Sequence, residues 1–162
     1  MKKPVLVIYF SRTGYTRIVA NEIATTTGAD TEEIREHSKR SGFLGYLRSA
    51  REALRGALPP LQEGQLNPRD YDLVVLGTPV WASHVCSPMR AYLAAHKNDL
   101  DRVAFFCTQG GSGSRKVLRE MSELCGRRPV ATLELNDGEI DKRTHDGKLL
   151  HFLEALDMRR AA

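Results

Sequence analysis

Three cysteines, Cys86, Cys107 and Cys125, are spread through the 162 residues, an odd number with no C-x-x-C. That argues against a disulfide framework and against a zinc site, and for reduced thiols in a cytoplasmic protein. No apolar run approaches the ~20 residues a membrane span needs. The opening MKKPVLVIYF resembles a signal peptide only briefly, because its apolar stretch ends at Ser11-Arg12 and no small-residue cleavage site follows. Strong charge is also missing. A net charge of +4 and a pI of about 9.1 are mildly basic, short of the field of a dedicated nucleic-acid binder, so no nucleic-acid partner is expected. There is no internal repeat, low-complexity tract or domain linker. What remains is an ordinary globular composition, 41% hydrophobic and 27% charged. By length, residues 1–162 are expected to form one domain with material for a real core.

The order of elements is regular. Residues 4–10 read as a strand apolar on both faces. A helix follows over 15–27, with Tyr15, Ile18, Val19, Ile23 and Thr26 on one face and Gly28 as a C-terminal cap. Residues 30–36 form a charged strand. Residues 43–58 form a helix with Phe43, Leu47, Ala50, Leu54 and Leu58 on a stripe, ended by Pro59-Pro60. The third strand is DLVVLG. Pro88 opens the next helix, with Ser87 as its N-cap. Strand 103–108, a helix over 114–125 (Val117, Leu118, Met121 and Leu124 inward), strand 129–135 and a last helix over 146–158 (Leu149, Leu150, Leu153 and Leu156 inward) complete the chain. Such βα alternation implies an α/β fold, a doubly wound five-stranded parallel sheet. Strands one, three and four are nearly continuous in apolar residues, as inner strands are, while two and five carry charge, as edges do. The strand order 2-1-3-4-5 satisfies both, and it puts a ligand crevice at the carboxyl ends of the strands, beside the switch point between one and three.

Three turns lie at that end: SRTGYT (11–16), TPVWASHVCS (78–87) and TQGGSGS (108–114). The first opens a helix, so it presents unpaired N–H groups and the positive end of a dipole. Ser11, Thr13 and Thr16 add hydroxyls, Gly14 adds backbone freedom, and Arg12 and Arg17 add charge where they point inward. The set suits a phosphate dianion. Plain N-capping by Ser11 or Thr13 would need only one hydroxyl. The turn is neither G-x-x-x-x-G-K-[ST] nor G-x-G-x-x-G. It lacks the cysteine nucleophile of a cysteine phosphatase, and the first strand lacks the acidic residues of a receiver domain at this end.

The string S-R-T-G-Y-T after an apolar N-terminal strand resembles the flavodoxin phosphate loop, [ST]-x-T-G-x-T. LGTPVWASHVCSP resembles the second flavin loop of that family and FFCTQGGSG the third, in the right order over nearly the whole chain. The resemblance implies a flavodoxin-like fold and FMN as cofactor. It implies Ser11, Arg12, Thr13, Gly14, Tyr15 and Thr16 around the phosphate. Thr78, Pro79, Val80 and Trp81 would line one side of the ring, and Thr108, Gln109, Gly110 and Gly111 the other side or its pyrimidine edge. The chemistry would be the flavin's own, tuned by the protein. Trp81, the only tryptophan, either stacks on the ring or packs into the core beside Val80. His84 either meets the flavin or is solvated. Cys86 and Cys107 read as buried residues rather than redox centres.

The sequence also departs from familiar electron-shuttle flavodoxins, which are acidic and often carry an aromatic residue in the third loop. This chain is basic, and its third loop has only small and polar residues. Arg48, Arg51 and Arg55 form a stripe on the 43–58 helix. Such a stripe is either a solvated face or a dock for an acidic protein or for nicotinamide-nucleotide phosphates. Two redox roles therefore stand open: an electron carrier between protein partners, and an FMN-dependent oxidoreductase passing electrons to a small-molecule acceptor such as a quinone or tetrapyrrole, with NAD(P)H as a donor. A third is a non-redox module binding another phosphate compound.

Overall fold

The computed structural model describes residues 3–37 and 42–158. Strand β1 (Lys3–Tyr9) is followed by α1 (Tyr15–Thr27), β2 (Asp30–Glu33), α2 (Gly42–Arg55), β3 (Tyr71–Trp81), a two-residue β4 (His84–Val85), α3 (Ser87–His96), β5 (Val103–Gln109), α4 (Ser114–Cys125), β6 (Thr132–Asn136), α5 (Asp137–Asp141) and α6 (Asp146–Met158). The main sheet is parallel in the order β2-β1-β3-β5-β6. That is the expected order once the short hairpin strand β4, antiparallel to β3, is counted. The charged strands β2 and β6 are the edges, and the apolar β1, β3 and β5 lie between them.

Each side of the sheet has its own core. Leu6, Ile8, Val74, Leu76 and Phe105 face α3 and α4, with Met89, Leu93, Val117 and Met121. Val5, Val7, Leu73, Val75 and Phe106 face α1 and α6, with Val19, Ile23, Phe152 and Leu156. Successive residues of each strand serve opposite cores, which is why these strands are apolar throughout. At the centre the approach is close: a Cβ on Gly77 would sit 2.0 Å from the Phe106 ring. Gly28 caps α1 as expected, its N–H bonding to the Ala24 carbonyl. Helix α3 starts one residue earlier than expected, with Cys86 rather than Ser87 at its N-cap.

The buried helix faces differ from the leucine-counting expectation. On α1 the buried residues are Thr16, Val19, Ala20, Ile23 and Ala24, while Ile18 is exposed. Leu150 of α6 is exposed, and Phe152 takes its place inside. The largest difference is α2, which ends at Arg55 and not at 58: Gly45, Ser49 and Ala53 face the protein, Phe43, Leu44, Leu47 and Leu54 face outward, and Leu58, beyond the helix, is exposed as well. Small side chains let helix backbones lie close to what they cover, and here closeness decides which side is buried.

Candidate functional site

A cleft of about 430 Å³ opens at the carboxyl ends of the parallel strands, bounded by the first, second and third turns. A larger hollow of about 1260 Å³ lies at the flank, between the 58–68 segment, β2 and α3, and contains no residue of these turns. The smaller cleft is the candidate site because it sits at the switch point between β1 and β3, where convergent loops meet.

The first turn enters α1 through Gly14, whose φ of 106° is left-handed, and no side chain caps the helix. Ser11 Oγ instead accepts the Gly14 N–H at 3.1 Å, so it shapes the turn. Single-hydroxyl capping is therefore not what this turn does, and the N–H groups of the first helical turn are left for an external acceptor. Arg12, Thr13 and the Tyr15 side chain line the cleft. Thr16 is buried, its hydroxyl 2.8 Å from that of Thr108. Two hydroxyls sharing one bond keep one hydrogen between them for another acceptor. Arg17 points away and pairs with Glu33 at 2.6 Å. Tyr15 donates to Asp141 Oδ2 at 2.9 Å, and that bond raises the phenol's pKa above its ordinary value, ahead of burial.

The second turn is a hairpin. Trp81 pairs with His84 across Ala82 and Ser83, both at positive φ, 49° and 62°, the signature of a tight two-residue turn with left-handed centres. Pro79, Val80, Trp81, Ala82 and Ser83 line the cleft. Trp81 is only 6% exposed and stands edge-on to Phe10, with ring centroids 5.5 Å apart. It belongs mainly to the core and gives the cleft a wall rather than an open face. Thr78 is buried away from the cleft, where its hydroxyl accepts the Cys86 N–H at 3.3 Å and lies 3.2 Å from Cys86 Sγ. His84 is half-buried and held by protein partners: Nδ1 lies 3.3 Å from Glu120 Oε2 and Nε2 3.2 Å from Lys116 Nζ. Glu120 also accepts the Val85 N–H at 3.1 Å and pairs with Arg90, pinning this turn to α3 and α4.

The third turn brings Thr108, Gln109, Gly110 and Gly111 to the cleft. The Gln109 side chain accepts the Ser114 N–H at 3.1 Å and so closes the start of α4, while Ser114 Oγ donates to Glu134 at 2.6 Å. Cys107, behind this turn, is fully buried, and burial pushes its thiol pKa up to about 12, which favours the protonated thiol there.

Four of the anticipated residues, Ser11, Gly14, Thr16 and Thr78, are not part of the lining, and the other ten are. Sequence reasoning missed Ser49 and Ala50 of α2, Ala82, Ser83, Ser112 and Asp137. Asp137 lies at the end of the next strand, at the same end of the sheet, which was the available signal. Burial first, and then the nearby Asp141, raise its pKa above the ordinary carboxylate value. Among the described residues no cluster suits a metal ion, and no helix is long and apolar enough to cross a membrane.

The sequence model of the flavodoxin family matches residues 4–146. No curated protein matches the chain significantly. Among solved structures, the flavoprotein of Lactobacillus acidophilus NCFM in complex with FMN is similar, with a TM-score of 0.71 at 24% identity over 86% of this chain and 97% of that one. The apo form of the flavoprotein from that organism gives 0.64 at 25% identity over 88% and 97%. The two-electron reduced flavodoxin of Megasphaera elsdenii gives 0.56 at 21% identity over 94% and 97%.

Proposed function

The chain belongs to the flavodoxin family, and from that membership we propose that its cleft binds FMN and that the protein carries electrons through the bound flavin. The observation that carries this reading is the start of α1, which has no side-chain cap and opens beside the cleft-lining Arg12 and Thr13. A terminal phosphate dianion fits such a site, where N–H groups, a hydroxyl and a guanidinium converge. The volume falls in the range of small-molecule sites. Bound FMN would supply one- and two-electron transfer. This chain's part is to hold the phosphate at Thr13 and the α1 N-terminus, with Thr16 bracing the turn from behind through Thr108, and to wall the ring with Pro79, Val80 and Trp81 on one side and Thr108 to Gly111 on the other. The three cysteines are free and buried, in keeping with a reducing, cytoplasmic setting.

The second reading is a reductase that hands electrons to a small molecule. It is favoured by the third turn, where no aromatic side chain covers the cleft. The two readings part in stopped-flow: NAD(P)H alone reduces a reductase's flavin, whereas a carrier's flavin waits for a protein donor.

Titration with FMN and riboflavin tests the common premise. The wild type should bind FMN more tightly, and Thr13→Ala should weaken FMN alone, by roughly 1.5–3 kcal/mol for one hydrogen bond to a charged group. Equal affinities for the two flavins in both proteins would remove the phosphate site.

A further inference from the structure

Helix α2 turns an apolar ridge outward. Phe43 and Leu44 are 74% and 79% exposed, and Leu47 and Leu54 are 47% and 65% exposed. The helix is not free to roll them inward. Its other side, Gly45, Ser49 and Ala53, is buried against the protein, and Glu52 is tied to Ser87 Oγ at 3.0 Å and to Arg48 at 2.7 Å. At 3.6 residues per turn, Phe43, Leu47 and Leu54 share an arc of about 40°, with Arg48, Arg51 and Arg55 along its outer flank. Among the described residues no carboxylate pairs with Arg51 or Arg55. The exposed sector thus has apolar bulk and positive charge, and the acid at its edge, Glu52, is already held by Arg48 and Ser87.

A second copy of the chain is a poor occupant, because a two-fold pair would set arginine stripes side by side, and the carboxylate of each helix, Glu52, is already held within its own chain by Arg48 and Ser87. An acidic protein would answer the charge but would need pockets for side chains that stand three-quarters exposed on a convex ridge. A lipid layer accepts projecting side chains without such pockets, and its anionic headgroups answer the arginines. We propose that α2 docks on the surface of an anionic bilayer, with Phe43, Leu44, Leu47 and Leu54 entering the boundary between headgroups and acyl chains and Arg51 and Arg55 at phosphate level. Ser49 and Ala50 of this helix line the cleft, so docking holds the cleft mouth beside the lipid. The inference does not rest on the flavin reading, since the same face is present with or without a ligand in the cleft.

The test is co-sedimentation of the full chain, with and without added FMN, with vesicles of phosphatidylcholine alone and of phosphatidylcholine containing one-third phosphatidylglycerol. The protein should pellet with the anionic vesicles and stay in solution with the neutral ones. Arg51→Glu with Arg55→Glu should lower the partition coefficient about 30-fold or more, from roughly fivefold per surface charge removed. Phe43→Ser with Leu44→Ser should also release the protein, while its melting temperature holds, because both side chains are exposed. Absence of binding to either vesicle, equal binding to both, or variants that pellet like the wild type would overturn the proposal. So would concentration-dependent dimerisation that Phe43→Ser abolishes, or retention on polyglutamate by a protein that ignores vesicles. Failure here leaves the flavin titration untouched, and failure of that titration leaves this result standing.

Discussion

Gly113 is where the second and third turns of the cleft meet, and replacing it with alanine should damage both. Its φ is +110°, and a Cβ there would lie 2.8 Å from Ser83 Oγ and 2.9 Å from Ser83 Cα and Cβ. One of those three atoms belongs to the main chain, so a rotamer change at Ser83 cannot relieve the clash. The left-handed backbone costs an alanine about 1–2 kcal/mol, and overpacking against a rigid neighbour adds about 1–3 kcal/mol. The sum, roughly 2–5 kcal/mol, is a large part of the stability of an ordinary domain. Gly126 supplies the control: its φ is +66°, but nothing lies within 4 Å of its Cβ position, so Gly126→Ala carries the backbone cost alone. Urea unfolding of the apoproteins should separate the two variants by about 1–3 kcal/mol. Adding Ser83→Gly to Gly113→Ala removes the Ser83 Oγ and Cβ from the clash and relaxes a residue at φ 62°, so it should recover part of the loss. In flavin titrations Gly113→Ala should bind more weakly, because the turns part, and Gly126→Ala should not. If Gly113→Ala proves no more destabilising than Gly126→Ala, the close approach of Gly113 to Ser83 does not hold the turns together.

Trp81→Ala should destabilise the apoprotein by about 3–5 kcal/mol, as expected for a large buried ring, with Trp81→Phe milder. An unchanged apoprotein melting temperature would show that the indole is not core. Asp137→Asn should raise the potential of bound flavin by roughly 20–50 mV, because it removes a negative charge that opposes electron uptake across a partly screened gap; redox titration against the wild type reads it. His145 is 2% exposed and 2.8 Å from Glu22. Burial alone would lower its pKa, but the Glu22 carboxylate and the Glu139 carbonyl raise it overall. A raised folded-state value gives stability that is fully present below the unfolded pKa and lost as pH rises through the folded one. Glu22→Gln should therefore cost more at pH 6 than at pH 9, by about 0.5–1 kcal/mol given that Glu22 is partly solvated; equal losses at both pH values would refute the pairing.

The sheet was legible because its inner strands are buried on both faces and can use almost nothing but apolar residues. That fixed β1, β3 and β5 as the interior and β2 and β6 as the edges. The first turn was legible because a phosphate site needs donors at short spacing in one segment. Helix faces were less legible. Counting large apolar residues assigned Phe43, Leu47 and Leu54 to the core, whereas the buried side of α2 follows Gly45, Ser49 and Ala53, small residues four apart that admit close approach. Ile18 failed for the same reason, displaced by Ala20 and Ala24. Thr78 carried no sign that its hydroxyl would turn inward to hold Cys86, because that bond depends on the hairpin returning the chain past β3. Asp137 lay one turn beyond the three considered.

The charges around the cleft set the direction in which a ligand can lie. Most of the carboxylates near it are used behind the lining: Asp141 holds Tyr15, Glu120 holds the second turn, and Glu134 holds Ser114. Of the described residues that line the cleft, only Arg12 and Asp137 are charged. Arg12 belongs to the turn that opens α1, where the helix dipole is positive. Asp137 stands beside the third turn, 3.3 Å from where a Cβ on Gly110 would be. A phosphate dianion is attracted at the first place and repelled at the second. On the proposed reading, a flavin monophosphate therefore settles with its phosphate on α1 and its ring toward the second and third turns, and not the other way round. Riboflavin lacks the dianion and loses most of that orientation, so the two flavins should differ in how they are held as well as in how tightly.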